Sequence, residues 1–125
     1  MRALMLPIVL AALATPAQAQ SLQLIGYSGY LGEWEVTATV TEDTSGPTQY
    51  AGPMTMKHVG ICTQEGPEER TGKIRLQRSA SLSRLNGTLS VDGVECTFSG
   101  QLSDSYTGTM SCPGRESVPL RLWLR

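Results

Sequence analysis

Leu85-Asn86-Gly87-Thr88-Leu89-Ser90-Val91-Asp92-Gly93-Val94-Glu95-Cys96-Thr97-Phe98-Ser99 is two alternating runs joined by Asp92-Gly93. Leu85, Gly87, Leu89 and Val91 share one parity, and Val94, Cys96 and Phe98 continue it after the turn. Period-2 alternation marks strands with one buried face. Asp-Gly between two such runs suits a type I′ turn, which needs positive φ at both central residues. A two-residue loop sets Val91 opposite Val94, Leu89 opposite Cys96 and Gly87 opposite Phe98. Gly87 is then expected to leave room for the Phe98 ring.

The register carries forward. Ser103-Asp104-Ser105 reads as a second turn, which places Leu102 opposite Tyr106. Counting back along both strands, Cys96 faces Cys112. A bridge there closes a hairpin and stabilises the fold by roughly 3 kcal/mol through the unfolded chain. A slip of one residue in the turn spoils this pairing. The rival is a bridge from Cys62 to either partner. Under Cys96–Cys112, Cys62 keeps a free thiol that is either buried or available to link two chains.

Working outward, Tyr106, Gly108, Met110 and Cys112 share inward parity, and Pro113-Gly114 ends that strand. Val118, Leu120, Leu122 and Leu124 form a last strand. Upstream, Leu31 to Thr41 alternates, with Trp34, Val36, Ala38 and Val40 inward. Pro53 to Cys62 reads as a less regular strand whose parity changes between Met56 and Val59, which suggests a bulge or an early end. Lys73 to Arg78 is a strand with Ile74 and Leu76 inward. Glu42 to Tyr50 and Thr63 to Gly72 read as loops. Ser79 to Asn86 fits either a turn and strand or one short helix. Strands with short connections and no clear helix predict an all-β fold: a small antiparallel meander barrel of six to eight strands, or a β-sandwich.

The chain has 125 residues, enough for one small domain. Arg2, the apolar run Leu4 to Leu13 and Ala17-Gln18-Ala19 form the three parts of a secretory signal peptide. Residues 1–19 are therefore expected to be removed and 20–125 to fold as a single domain. The run is too short for a permanent membrane anchor. The Ala- and Gln-rich cleavage region points to a bacterial protein of the periplasm or the medium. The outward strand residues are Glu, Thr and Ser, the reverse of a membrane barrel, so no membrane insertion is expected after cleavage. The net charge of −1 gives no basic excess for nucleic acid.

Catalytic chemistry finds few residues to use. His58 and Cys62 sit four positions apart, which on a strand spans about 13 Å, too far for a thiolate–imidazole pair. Glu33 and Glu35 are about 7 Å apart on one strand face, a spacing open to paired carboxylates, but they alternate with core residues and read as a solvated face. No metal spacing, phosphate loop or nucleophile elbow occurs. The sequence thus predicts no enzyme, no cofactor and no metal. Tyr27, Tyr30 and Tyr50 lie on Gly-containing segments and read either as a contact rim or as a cover over one end of the core.

Leu31-Gly32-Glu33-Trp34 resembles the Gly-x-Trp opening of the calycin barrels, which include lipocalins and small periplasmic barrels that inhibit secreted proteases. The resemblance implies an up-and-down barrel of about eight strands. It also implies that Trp34 packs against an arginine of the last strand, here Arg121 or Arg125. The functions it implies are binding of a small apolar ligand in the barrel, or insertion of an N-terminal segment into a protease cleft.

Three readings follow. The first is an exported binding protein or inhibitor of a secreted hydrolase. It contacts an extracytoplasmic protein through the Tyr27–Tyr30 segment, Glu42–Tyr50 and Thr63–Gly72. The second is a carrier of a small apolar ligand, and the third a structural envelope protein. Trp34, Phe98, Tyr106, Met110 and several Leu point inward and are expected nearly to fill so small a barrel, which favours the first reading. An internal cavity of about 300 Å³ or more would favour the second.

Overall fold

A computed structural model describes residues 21–43, 48–59, 66 and 68–125. The expected leader and Cys62 lie outside the described residues. The strands are β1 (Ser21–Ser28), β2 (Trp34–Glu42), β3 (Gln49–His58), β4 (Glu69–Arg78), β5 (Arg84–Val91), β6 (Val94–Leu102), β7 (Tyr106–Ser111) and β8 (Val118–Leu124). Each pairs antiparallel with the next, and β8 returns to β1, closing a meander barrel. The barrel, not the sandwich, is the fold.

The central hairpin obeys its local chemistry. Asp92 and Gly93 both take positive φ, 52° and 76°, and the pairs Val91–Val94, Leu89–Cys96 and Gly87–Phe98 form. Leu102 pairs with Tyr106, and Cys96 is bridged to Cys112 with Cα atoms 4.3 Å apart. One expectation fails inside this correct register. The Phe98 ring does not lie over Gly87; a Cβ on Gly100 would meet the ring at 2.5 Å, whereas one on Gly87 would meet Leu76 and the Arg75 carbonyl. The ring leans along its own strand, so the residue two positions on must be small.

Other boundaries move. β1 was not anticipated: its inward positions Gly26 and Ser28 are small, while Ile25 and Tyr27 face outward, which blurs the alternation. β3 runs from Gln49 to His58, starting earlier than Pro53, and holds one register against β2 from Trp34–His58 to Glu42–Tyr50, so of the two alternatives the strand ends early rather than bulging. β4 starts at Glu69, inside the expected Thr63–Gly72 loop. Ser79 to Ser83 is a turn, with Leu82 at φ 62°, and Arg84 opens β5.

The registers fix the barrel's shape. Starting at Arg78 and stepping across Leu85, Gly100, Gly108, Leu120, Ser28, Trp34 and His58 brings the path back beside Glu68, whose carbonyl accepts the His58 N–H at 2.8 Å. One circuit therefore climbs ten residues, from 78 to 68. That is about 33 Å of strand against about 38 Å of eight strand spacings, a tilt of about 40° and a radius near 8 Å. Strands this tightly coiled approach each other closely at inward glycines. A Cβ on Gly108 would lie 1.8 Å from the Ser99 carbonyl oxygen, and one on Gly72 2.0 Å from that of Ser90.

The ends of the barrel differ. At one end, close to the β4–β5 and β6–β7 turns, Tyr50, Leu85 and Tyr106 are buried. The Tyr106 hydroxyl donates to the Leu82 carbonyl at 2.8 Å. Arg78 lies 5.4 Å over the Tyr50 ring and donates to its hydroxyl at 3.2 Å. Burial pushes the Arg78 pKa down, and its polar and charge interactions with the Tyr50 and Tyr106 hydroxyls together push it up by more, so it stands above its ordinary value. Leu24, Leu76, Phe98 and Leu122 fill the space beneath this cap.

Candidate functional site

The opposite end carries the β1–β2, β5–β6 and β7–β8 turns, and it is not filled. A cup of about 460 Å³ opens there, within the usual range for small-molecule sites. The interior below it is packed by the buried core, and the cup lies above that core at the mouth of the barrel. Phe98 and Tyr106 plug the waist and the far end, while inward positions near the cup are occupied by narrower side chains.

The wall is mainly apolar. Met56 comes from β3, Leu89 and Val91 from β5, Cys96 from β6, Met110 from β7 and Val118 from β8. The Cys96–Cys112 bridge is part of this wall, so the disulfide that closes the β6–β7 hairpin also shapes the cup. Methionine and disulfide sulfur form a soft, polarisable surface that suits apolar and aromatic groups.

The rim is polar and aromatic. Trp34 stacks on His58 with ring centroids 4.6 Å apart, a contact that the cross-strand pair Trp34–His58 imposes. Arg70, at the start of β4, stands 5.6 Å over the Trp34 ring. Glu68 holds Arg70 at 2.9 Å, and Asp92 lies at 3.7 Å. All three charged groups are well exposed, so these pairs orient the guanidinium more than they stabilise the fold. Glu33 turns its carboxylate back to accept the Leu31 N–H at 3.3 Å.

Trp34 does meet an arginine, but the resemblance implied the wrong one. Arg121 is exposed on the outer face, paired with Tyr27, and Arg125 lies at the far end of β8. The partner is Arg70 of β4. It sits at the open end, so the Trp–Arg contact borders the cup.

The three tyrosines do not form one rim. Tyr27 faces outward from β1 and Tyr30 is 73 % exposed in the turn that follows, but Tyr50 is only 5 % exposed and belongs to the closed end. Glu42 and Tyr50 likewise lead into the connection at that closed end, whereas His58 and Glu68 lie at the opposite end, so the three expected contact segments are split between the two ends. Arg70, Met56 and Met110 were missed as candidates. The signal for Met56 was present: Met54, Met56 and His58 share one parity in a strand whose partner carries Trp34.

Comparison with known protein families, with curated proteins and with solved structures finds no match to this chain. The fold and site define a class: a closed eight-stranded antiparallel meander barrel, plugged at one end and cupped at the other. It is consistent with a small calycin-like barrel. A disulfide such as Cys96–Cys112 is a bond of the kind that persists in oxidising compartments.

Proposed function

We propose that this protein is an exported, non-enzymatic binding barrel of the calycin-like kind, which takes one small, mainly apolar ligand into the cup beside Trp34. The cup itself carries the reading: about 460 Å³ lined by Met56, Leu89, Val91, Met110 and the Cys96–Cys112 bridge, at one end only. The leader-like residues 1–19 and the disulfide support export, with a bacterial periplasm or medium as the location. Apolar walls supply the affinity, and the Trp34–Arg70 rim orients the ligand's polar end.

A neutral fluorescent probe, N-phenyl-1-naphthylamine, tests this. The expected result is saturable one-to-one binding with a blue-shifted emission. Leu89→Trp adds bulk to the wall and is expected to weaken binding by about tenfold or more. Absence of saturable binding in the folded protein, or unchanged binding in Leu89→Trp, would overturn the reading.

A further inference from the structure

The outer face of β1 and β8 carries a second feature. Among the described residues, four of the eight exposed large apolar side chains, Ile25, Tyr27, Tyr30 and Leu31, lie in β1 and the turn after it. Leu31 is 88 % exposed. Trp123 of β8 pairs with Ile25 and meets Tyr27 edge-on, with ring centroids 6.1 Å apart. Between Tyr27, Tyr30, Leu31 and Trp123 runs a groove of about 690 Å³. Tyrosine, tryptophan and arginine are the residue types that dominate contact energetics, and a contiguous exposed apolar patch marks an interaction surface.

The charges beside the patch specify its occupant. Tyr27 pairs with Arg121 on one side and with Glu35 on the other, so one row across the barrel reads Arg121–Tyr27–Glu35. Neither charge enters an ion pair among the described residues; Lys57, next along the row, is turned to Glu69 at 3.4 Å. We propose that this face is the interface of a two-fold dimer, with a second copy of the chain as its occupant. A two-fold axis through Tyr27 lays Arg121 of each copy on Glu35 of the other. That axis runs in the interface along the strands, so Ile25 of one copy meets Ile25 of the other, and the turn after β1 meets the same turn of the second copy. Such an isologous contact requires a patch that complements itself, in charge and in shape. This patch has a positive flank, a negative flank and apolar groups at both ends. The closed barrel has no free strand edge, so association must use side chains on a face of this kind.

Sedimentation equilibrium of the purified protein tests the proposal. The expected result is a reversible monomer–dimer equilibrium. Tyr27→Ser abolishes the dimer. Arg121→Glu and Glu35→Arg each place like charges together and weaken association by about tenfold or more, and the double variant Arg121→Glu/Glu35→Arg recovers most of the loss. Unchanged circular dichroism and melting temperature in the charge variants exclude a folding defect. A protein that stays monomeric at about 1 mM, well above the range of a specific small interface, overturns the proposal. So does a double variant no better than the singles, or single variants that dimerise like the parent.

Discussion

Replacing Gly108 by Ala tests the claim that the narrow barrel depends on glycines where strands nearly touch. The added Cβ would stand 1.8 Å from the Ser99 carbonyl oxygen and 2.7 Å from the Gly100 Cα, both backbone atoms of β6. No side chain can rotate away to relieve this. Restoring a contact of 3.0 Å requires β6 and β7 to part locally by about 1.2 Å. A ladder hydrogen bond stretched so far is lost. Overpacking of this kind costs about 1–3 kcal/mol, and each lost hydrogen bond adds about 1 kcal/mol. The sum is about 3 kcal/mol or slightly more, against a typical domain stability of about 5–15 kcal/mol. The variant should fold, with a melting temperature lower by about 10–20 °C. Urea unfolding followed by tryptophan fluorescence measures the loss. Gly114→Ala is the control: Gly114 has φ 71° and nothing within 4 Å of its would-be Cβ, so only the left-handed backbone strain, about 1 kcal/mol, is expected. A loss below about 1 kcal/mol for Gly108→Ala, or no larger than that of Gly114→Ala, would refute the reasoning.

Two further outcomes are expected. Reducing Cys96–Cys112, whose partners are 16 residues apart, should cost about 3 kcal/mol in urea unfolding; a loss below about 1 kcal/mol would contradict the role given to it. Tyr106→Phe removes the 2.8 Å hydrogen bond to the Leu82 carbonyl and should cost about 1–1.5 kcal/mol by thermal or urea unfolding, whereas Tyr30→Phe loses only an exposed 3.3 Å contact to the Ser117 carbonyl and should cost less than about 0.5 kcal/mol.

The β5–β6–β7 region was legible because local rules there decide the structure. Asp92-Gly93 admits one tight turn, and parity then carries the register from Val91–Val94 to the Cys96–Cys112 bridge. Reading failed where tertiary contacts override the pattern. β1 gave no strand signal because Gly26 and Ser28 occupy inward positions, where a larger side chain at Gly26 would strike β8. β4 reached back to Glu69 because His58 and Glu68 must meet to complete the tilted circuit, a constraint that only the closed barrel imposes. The Phe98 ring settled over Gly100 rather than Gly87, since side-chain lean depends on strand coiling and not on pairing.

The candidate site was less legible than the fold. Inward parity identified Trp34 and Met110 as interior residues, but parity gives no height along the barrel. Which inward residues plug the interior and which line an opening depends on the ten-residue climb around the circuit. For the same reason, Tyr50 could not be told from Tyr27 and Tyr30 by its Gly-containing surroundings. Arg70 reached Trp34 across β3, a contact between strands two apart in the sheet.

The most direct test of the cup is a chemical-shift titration of isotopically labelled protein with N-phenyl-1-naphthylamine. The methyl groups of Met56, Leu89, Val91, Met110 and Val118 and the Trp34 indole should move together along one saturating curve. Leu85, Leu24 and Leu122, packed in the filled interior away from the cup, should stay still. Shifts confined to Ile25, Tyr27 and Trp123 on the outer face, or no saturating shifts in the cup methyls, would contradict the account.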